Sequence, residues 1–475
     1  MKGYLPFCFL ILFSLVGCHR KPTVYHTLSA IETTFQKGQF TRTVRWADSL
    51  MKSGNADSLT IVKLKLLVDN IIRIRADFSL TDAETDSLLL KAVGSYTPSE
   101  RELWERNNWL EYRTIDGAKH YFKRTIPNLI LILKSRQPVQ AEDQNLDAQA
   151  AFCLAQSRKV IALSKSDGKP VQPVKLKVSY QLIVKPDAVP DGETVRCWLP
   201  WPHENCDRQV RVRLLKTIPS LYFIAPDSVG QRTVYLTRQA VKGKPVTFGL
   251  EFEYLSMAQY FDLDKIRILR YDTTSVIFKR YTAMQYPQIF FTDQIKHLSD
   301  SIVGRTSNPV EKVRKIYYWI NDHIIWTSAL EYSIIPFIPG YVLDNRRGDC
   351  GMQTLLFMAM ARYQHIPVKW QSGWMMHPGA VNLHDWCEVY YAGTGWVPLD
   401  MSFNLQRSKD RHEQAYYISG IDAYRLIIND GIGCQLVPGK KFARSEPYDF
   451  QRGEVEWSGG NLYFNQWDYH MKVAY

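Results

Sequence analysis

The chain holds only eight cysteines in 475 residues. That scarcity excludes a disulfide scaffold, in which crosslinks substitute for a hydrophobic core. Beyond the first eighteen residues no stretch supplies the roughly 20 consecutive apolar residues of a bilayer-spanning helix, so the body is expected to lie outside the membrane. Repetition is also missing. Residues 31–50 faintly resemble one helical hairpin of the tetratricopeptide kind, but no period follows, which argues against a solenoid. No nucleic-acid reading motif is present, and nucleic acid is not expected as a partner. No cofactor is called for either.

What is present suits a multidomain α+β protein. With 45% apolar and 22% charged residues, the chain can bury several cores, and its length predicts two to four domains. A net charge of +12 favours anionic surfaces such as lipid headgroups or acidic polymers. Lys2, the apolar run Leu5–Leu15 and Val16-Gly17-Cys18 read as a signal peptide over residues 1–18, too short to span a bilayer. Leu15-Val16-Gly17-Cys18 resembles a bacterial lipobox, which implies lipidation of Cys18 and a membrane tether through the N-terminal lipid. His19 matches neither an inner-membrane retention signal nor an acidic surface-export signal. The expected location is therefore the cell envelope, at the outer membrane facing the periplasm. In that oxidising compartment disulfides are permitted. Their pairing among Cys153, Cys197, Cys206, Cys387 and Cys434 stays open, with Cys197–Cys206 as one option.

Residues 19–165 read as a helical region. Thr81-Asp82-Ala83-Glu84 is a capping box, and Pro98-Ser99-Glu100 opens another helix through Trp104. Ile115–Arg124 is an aromatic and basic cluster, suited to packing against the next domain or to approaching an active cleft; packing is the preferred reading. Residues 166–173 form a linker by composition. From 174 to 280 short alternating segments separated by Pro, Gly and Asp predict a central antiparallel β-sandwich. Trp198, Trp201 and Tyr222 there are expected in core or interface packing. A catalytic α+β domain is expected over 281–435, with a C-terminal β-hairpin extension over 436–475.

The chemistry concentrates between residues 348 and 400. Gly348-Asp349-Cys350 precedes Met352–Tyr363, a run apolar almost all round that predicts a buried helix ended before Pro367. Cys350 then sits at the helix N-terminus, where unpaired N–H groups and the helix dipole favour a thiolate and can receive an oxyanion. His384–Tyr391 reads as a strand, the turn Ala392–Gly395 follows, and Trp396–Asp400 returns as a second strand. Period-two geometry puts Asp385 on the face opposite His384, and Glu388 lies roughly 13 Å further along at about 3.3 Å per residue. Asp400 on the returning strand can reach the His384 ring. Cys350 is accordingly read as nucleophile, His384 as general base and acid, and Asp400 as the group orienting the imidazole. A zinc site at His384-x-x-Cys387 is disfavoured because residues three apart on a strand face opposite ways, and no metal is expected.

The joint pattern is Gly-Asp-Cys opening a helix, His-x-Trp-x-Glu-Val on a strand and Gly-Trp-x-x-x-Asp on the next. It resembles the transglutaminase-like superfamily of papain-like cysteine enzymes. Arg362 with His365-Ile366-Pro367 also resembles the family's segment after the nucleophile helix, with His365 in place of the usual glycine. The resemblance covers about residues 285–435. It implies a papain-like fold and a Cys350-His384-Asp400 triad, with a thioester intermediate. It also implies that a side chain of the loop from Trp326 to Pro339 completes the oxyanion site. Trp326, Tyr332 and the nearby Tyr341 are all candidates, while Gln353 is read as an ordinary core hydrogen bond. The expected activity is cleavage of amide or peptide bonds in a peptide, protein or cell-wall peptide substrate. Transamidation and a non-catalytic binding module with a retained triad are the alternatives.

Overall fold

The computed structural model describes residues 26–136, 146–165, 168–204 and 206–475; the signal segment and Cys18 lie outside the described residues. The chain divides into two compact units, one made of the residues up to Asp69 with Ile115–Gly117, the other of Asn70–Thr114 with Ala118–Tyr475. The first holds α1 (Leu28–Gln36), α2 (Phe40–Lys52) and the start of α3 (Ser58–Asp77). Ile31, Ala47, Leu50 and Leu64 form its core.

In the second unit, α4 (Asp82–Val93) and α5 (Pro98–Arg106) both begin with complete capping boxes, Thr81 with Glu84 and Thr97 with Glu100. Next along the chain comes a hairpin of β1 (Tyr112–Ile115) and β2 (Ala118–Tyr121), its tip Ile115–Gly117 counted with the first unit, where the sequence reading expected only helix. Its turn residues Asp116 and Gly117 both take positive φ, 50° and 91°, which a two-residue hairpin turn requires. Tyr121 and Phe122 of the aromatic and basic cluster are buried, Tyr121 in one core with Leu89, Trp104 and Leu129. Two helices follow, α6 (Thr125–Ser135) and α7 (Ala148–Leu163).

The chain then becomes β-rich: β3 (Val171–Val184), β4 (Thr194–Pro200), β5 (Gln209–Ile218), β6 (Tyr222–Ile224), β7 (Thr233–Gln239) and β8 (Val246–Tyr260). After α8 (Val276–Thr282), α9 (Asp293–Val303), α10 (Pro309–His323) and β9 (Ile325–Trp326) come α11 (Ile338–Asn345), β10 (Arg347–Gly348) and α12 (Cys350–Tyr363). The elements β11 (Val368–His377), β12 (Ala380–Tyr391), β13 (Gly395–Leu399), α13 (Arg411–Gln414), β14 (Gly420–Ile421) and β15 (Arg425–Asn429) complete this region. Last come β16 (Glu454–Trp457), β17 (Gly460–Leu462) and β18 (Trp467–Ala474).

These strands build three main sheets. One has the order β14-β8-β3-β18, with β5 also paired to β8; a second has the order β17-β16-β4-β7-β6; the third is β13-β12-β11-β15. Alternate residues of β3 (Leu176, Val178, Tyr180, Leu182, Val184) and of β8 (Phe248, Leu250, Phe252, Tyr254) enter one core, as the two-residue side-chain period dictates. Trp198 and Trp201 are buried in that core, whereas Tyr222 is exposed. Trp374, Met376, Leu426 and Ile428 of the third sheet join the same core, so the sandwich and the third sheet share one interior. The segment after residue 436 is built into the sandwich. β16 and β17 do form a hairpin, but β18 crosses to the other sheet and runs along β3 from Trp467↔Val184 to Ala474↔Lys177.

Helix α12 is buried from Gly351 through Arg362. The α10 stripe Val313, Ile316, Tyr317 and Ile320 is buried as its spacing predicts. No helix among the described residues is long and apolar enough to cross a membrane. Cys153, Cys197, Cys206, Cys350, Cys387 and Cys434 all carry free thiols.

Candidate active site

Cys350 is the first residue of α12. Asp349 is the N-cap: its carboxylate accepts the Met352 N–H at 3.1 Å, satisfying one of the orphan donors of the first turn. The Tyr332 hydroxyl donates to the same carboxylate. Gly351 is required by its neighbours, since a Cβ there would run into the Tyr332 hydroxyl and the Asp385 carboxylate.

His384 lies on β12, and the hairpin pairs β12 with β13 from Tyr391↔Gly395 to Cys387↔Leu399. The residue after that last pair is Asp400, which reaches back along β12 so that its Oδ2 meets His384 Nε2 at 2.7 Å. Asp400 is fully buried. The Ser402 N–H donates to its Oδ1 at 3.1 Å, and the Tyr317 hydroxyl donates to its backbone carbonyl at 3.1 Å. Arg425 of β15 approaches Asp400 Oδ2 at 3.1 Å and Asp422 Oδ2 at 3.0 Å. Asp422 in turn meets His377 Nε2 at 3.0 Å, and the Cys153 sulfur lies 3.9 Å from His377 Nδ1. A buried row thus runs His384–Asp400–Arg425–Asp422–His377. Sequence reasoning missed its last three members, which share no local motif with Cys350 or His384.

The two faces of β12 serve different partners. His384 turns to Asp400, and Asp385 on the opposite face reaches the thiol, with Cys350 Sγ donating to Asp385 Oδ2 at 3.5 Å. Gln451 holds this strand in place: its side-chain amide donates to the His384 carbonyl and to Asp385 Oδ1, each at 2.8 Å. Cys350 and His384 line one cavity of about 760 Å³, together with Trp326, Cys153 and Phe403. On its other side Cys350 lines a smaller cavity of about 270 Å³ with Tyr332, Asp349 and Asp385. Trp326 lines both, and Tyr332 only the smaller one. Tyr341 is committed to Glu111 at 2.7 Å, and Gln353 donates to the Gly348 carbonyl at 3.2 Å.

Charge states follow from burial and neighbours. Burial, then the Asp385 and Asp349 carboxyls, push the Cys350 thiol well above its ordinary range, against the Asp385 backbone N–H, which favours the thiolate. This runs against the expectation of a thiolate favoured by the helix N-terminus: burial first, and then the Asp385 and Asp349 carboxyls, raise the thiol. Burial likewise lowers His384 below the usual imidazole range despite Asp400. Burial opposes ionisation of Asp400, yet the His384 ring and the Arg425 guanidinium hold it below the carboxylate range. The resting arrangement is therefore a neutral thiol, a neutral imidazole and an ionised Asp400.

Among the described residues, Asp262, Asp264 and His412 are the group spaced to hold a metal ion, and Lys265, Arg314 and Arg411 already pair with its carboxylates. Cys387 is fully buried in the protein interior, and His384 is engaged with Asp400, so the His-x-x-Cys spacing brings no two ligands together.

Residues 296–401 match the model of the Transglutaminase-like superfamily. No curated protein matches the chain significantly. Among solved structures, a candidate cysteine protease from Cytophaga hutchinsonii is 14% identical, with a TM-score of 0.44, over 64% of this chain and 91% of that one. The periplasmic domain of TgpA from Pseudomonas aeruginosa is 12% identical, with a TM-score of 0.25, over 50% of this chain and 88% of that one. A candidate protease from Parabacteroides distasonis is 13% identical, with a TM-score of 0.21, over 56% of this chain and 47% of that one. At these values none of the three bears on this chain's activity.

Proposed function

Because residues 296–401 form a transglutaminase-like domain, we propose that the protein is a thiol hydrolase of amide or peptide bonds, anchored in the cell envelope through a lipid on Cys18. The observation that carries the catalytic reading is the shared cavity: Cys350, first in a buried helix, and His384, backed by Asp400 at 2.7 Å, line the same cleft.

Each step draws on side chains that line this cleft or back it. With Nε2 bound to Asp400, His384 has Nδ1 left for the cleft, and this nitrogen takes the thiol proton as sulfur attacks the carbonyl carbon. The carbonyl oxygen becomes an anion facing the N–H groups at the start of α12. As the C–N bond breaks, the imidazolium returns its proton to the departing amine, leaving a thioester on Cys350. Water, deprotonated by the same imidazole, then releases the acid and restores the thiol. Asp400 stays ionised throughout and stabilises the transient imidazolium, with Arg425 keeping the carboxylate in place. A thiol pushed up and an imidazole pushed down by burial favour a proton that moves during attack over one transferred beforehand.

Replacing Cys350 by Ala abolishes turnover of an amide substrate library while the thermal melt stays unchanged. Full activity in the purified variant refutes the assignment.

A further inference from the structure

The smaller cavity beside Cys350 has a lining that the hydrolytic cycle does not use. Five of its residues are acidic, Glu331, Asp349, Asp385, Glu446 and Asp449, against two guanidiniums, Arg124 and Arg452. Most of these acids are already engaged. Arg452 grips Glu331 at 2.7 and 3.1 Å and also bonds Glu446. Asp349 caps α12, and Asp385 is held by Gln451 and the thiol. Arg124 is exposed.

Asp449 is different. It is only 9% exposed, it lines the cavity, and among the described residues no other side chain donates a hydrogen bond or forms an ion pair with its carboxyl group. A buried carboxyl that lacks a side-chain donor is costly to ionise, so a cation brought beside it would favour its charged form. Its neighbours add to that cost. Burial and the nearby Glu446 push Asp449 up to about 8 against the pull of the Arg452 guanidinium and of its own backbone N–H, while burial and then Asp449 and Asp349 raise Asp385 well above the carboxylate range. Acids that crowd and hold protons in this way are a site short of positive charge. A volume of about 270 Å³ admits a short alkyl chain with a compact ammonium head, whose three donors can each meet a different oxygen.

We propose that this carboxylate-walled cavity seats a primary ammonium group, so that the substrates presented to Cys350 carry a lysine-like cation beside the reacting amide. The assignment rests on Cys350 being the reactive thiol, and it names the chemical class that the catalytic reading leaves open.

Three methanethiosulfonates of similar size test it on the whole protein at pH 9: 2-aminoethyl (cationic), propyl (neutral) and 2-sulfonatoethyl (anionic). Modification is followed at the Cys350 peptide by mass spectrometry, because Cys206 and Cys434 are also partly exposed. Each rate is divided by that of free cysteine with the same reagent. The cationic probe is expected to exceed the neutral one by about tenfold, and the anionic probe to trail it by a similar factor. Asp449→Asn should cut the cationic-to-neutral ratio severalfold, a ratio from which any change in the thiol itself cancels. Asp449→Ser serves the same purpose if the amide variant melts early. Equal normalised rates for the three probes, or a ratio unmoved in a folded Asp449 variant, overturn the ammonium site and leave the thiol assignment standing. Failure of every probe to modify Cys350 overturns the thiol assignment itself.

Discussion

Arg425 offers the sharpest test of how the site is held together. Its side chain is almost fully buried and lies 3.1 Å from Asp400 and 3.0 Å from Asp422, both completely enclosed. Substituting Met keeps the length and apolar bulk but removes the cation, leaving two buried carboxylates with one histidine each. Removing one partner of a buried ion pair costs about 3–5 kcal/mol, a large share of the roughly 5–15 kcal/mol that holds a typical domain. Urea unfolding of Arg425→Met at pH 7 should therefore show a loss of that size. The sign of the pH dependence follows from the carboxylates. Asp400 and Asp422 both sit below their ordinary value of 3.8, so their contribution is present above that value and is lost as pH falls through the depressed folded values. Without Arg425 the folded values rise, so the gap between the two proteins is full at neutral pH and narrows as pH falls through the carboxylate range. Catalysis gives a second readout. The guanidinium helps to hold His384 low, so its removal raises the imidazole and shifts the acid limb of kcat/KM to higher pH. A loss below about 1 kcal/mol, a gap independent of pH, or an unmoved acid limb would refute the reasoning.

Two further outcomes are expected. Iodoacetamide labelling of Cys350 should keep accelerating past pH 9, because burial and the Asp385 and Asp349 carboxyls hold the thiol up; a plateau near neutrality would reveal a preformed thiolate–imidazolium pair instead. Labelled palmitate should enter the protein in cells and be lost in Cys18→Ala, and a mature form beginning elsewhere would remove the anchor.

The helix that begins at Cys350 and the strand pair were legible because their signals are local. Asp349 is a cap by residue type, the apolar run after it has helical length, and Gly393 with Gly395 marks the turn that returns Asp400 towards His384. Period-two alternation even separated His384 from Asp385; what it left unasked was which partner Asp385 then faces. That partner is the thiol itself. The hairpin at Asp116-Gly117 was passed over because the surrounding pattern favours helix and the decisive property is a backbone angle. Arg425, Asp422, Gln451 and Asp449 were invisible for a different reason. Each is an ordinary polar residue in its own neighbourhood and acquires meaning only through long-range pairing, β15 beside β11 or the segment after 445 against β12. The misjudged thiol has another origin: burial of the helix start, then the Asp385 and Asp349 carboxyls of the motif region itself, raise it, and burial is a property of the packed fold that the local pattern does not show.

The shared interior of the sandwich and the third sheet bears on how this protein can be dissected. A fragment cut to residues 296–401 would keep Cys350, His384 and Asp400 but would discard the strand that bears Arg425, the amide of Gln451 and the apolar surface against which Trp374 and Met376 rest. Such an excised piece would display hydrophobic side chains to water and leave Asp400 without its guanidinium. The recognisable motif is thus not a transplantable module, and engineering with it means moving the β-sandwich and the late strands as well.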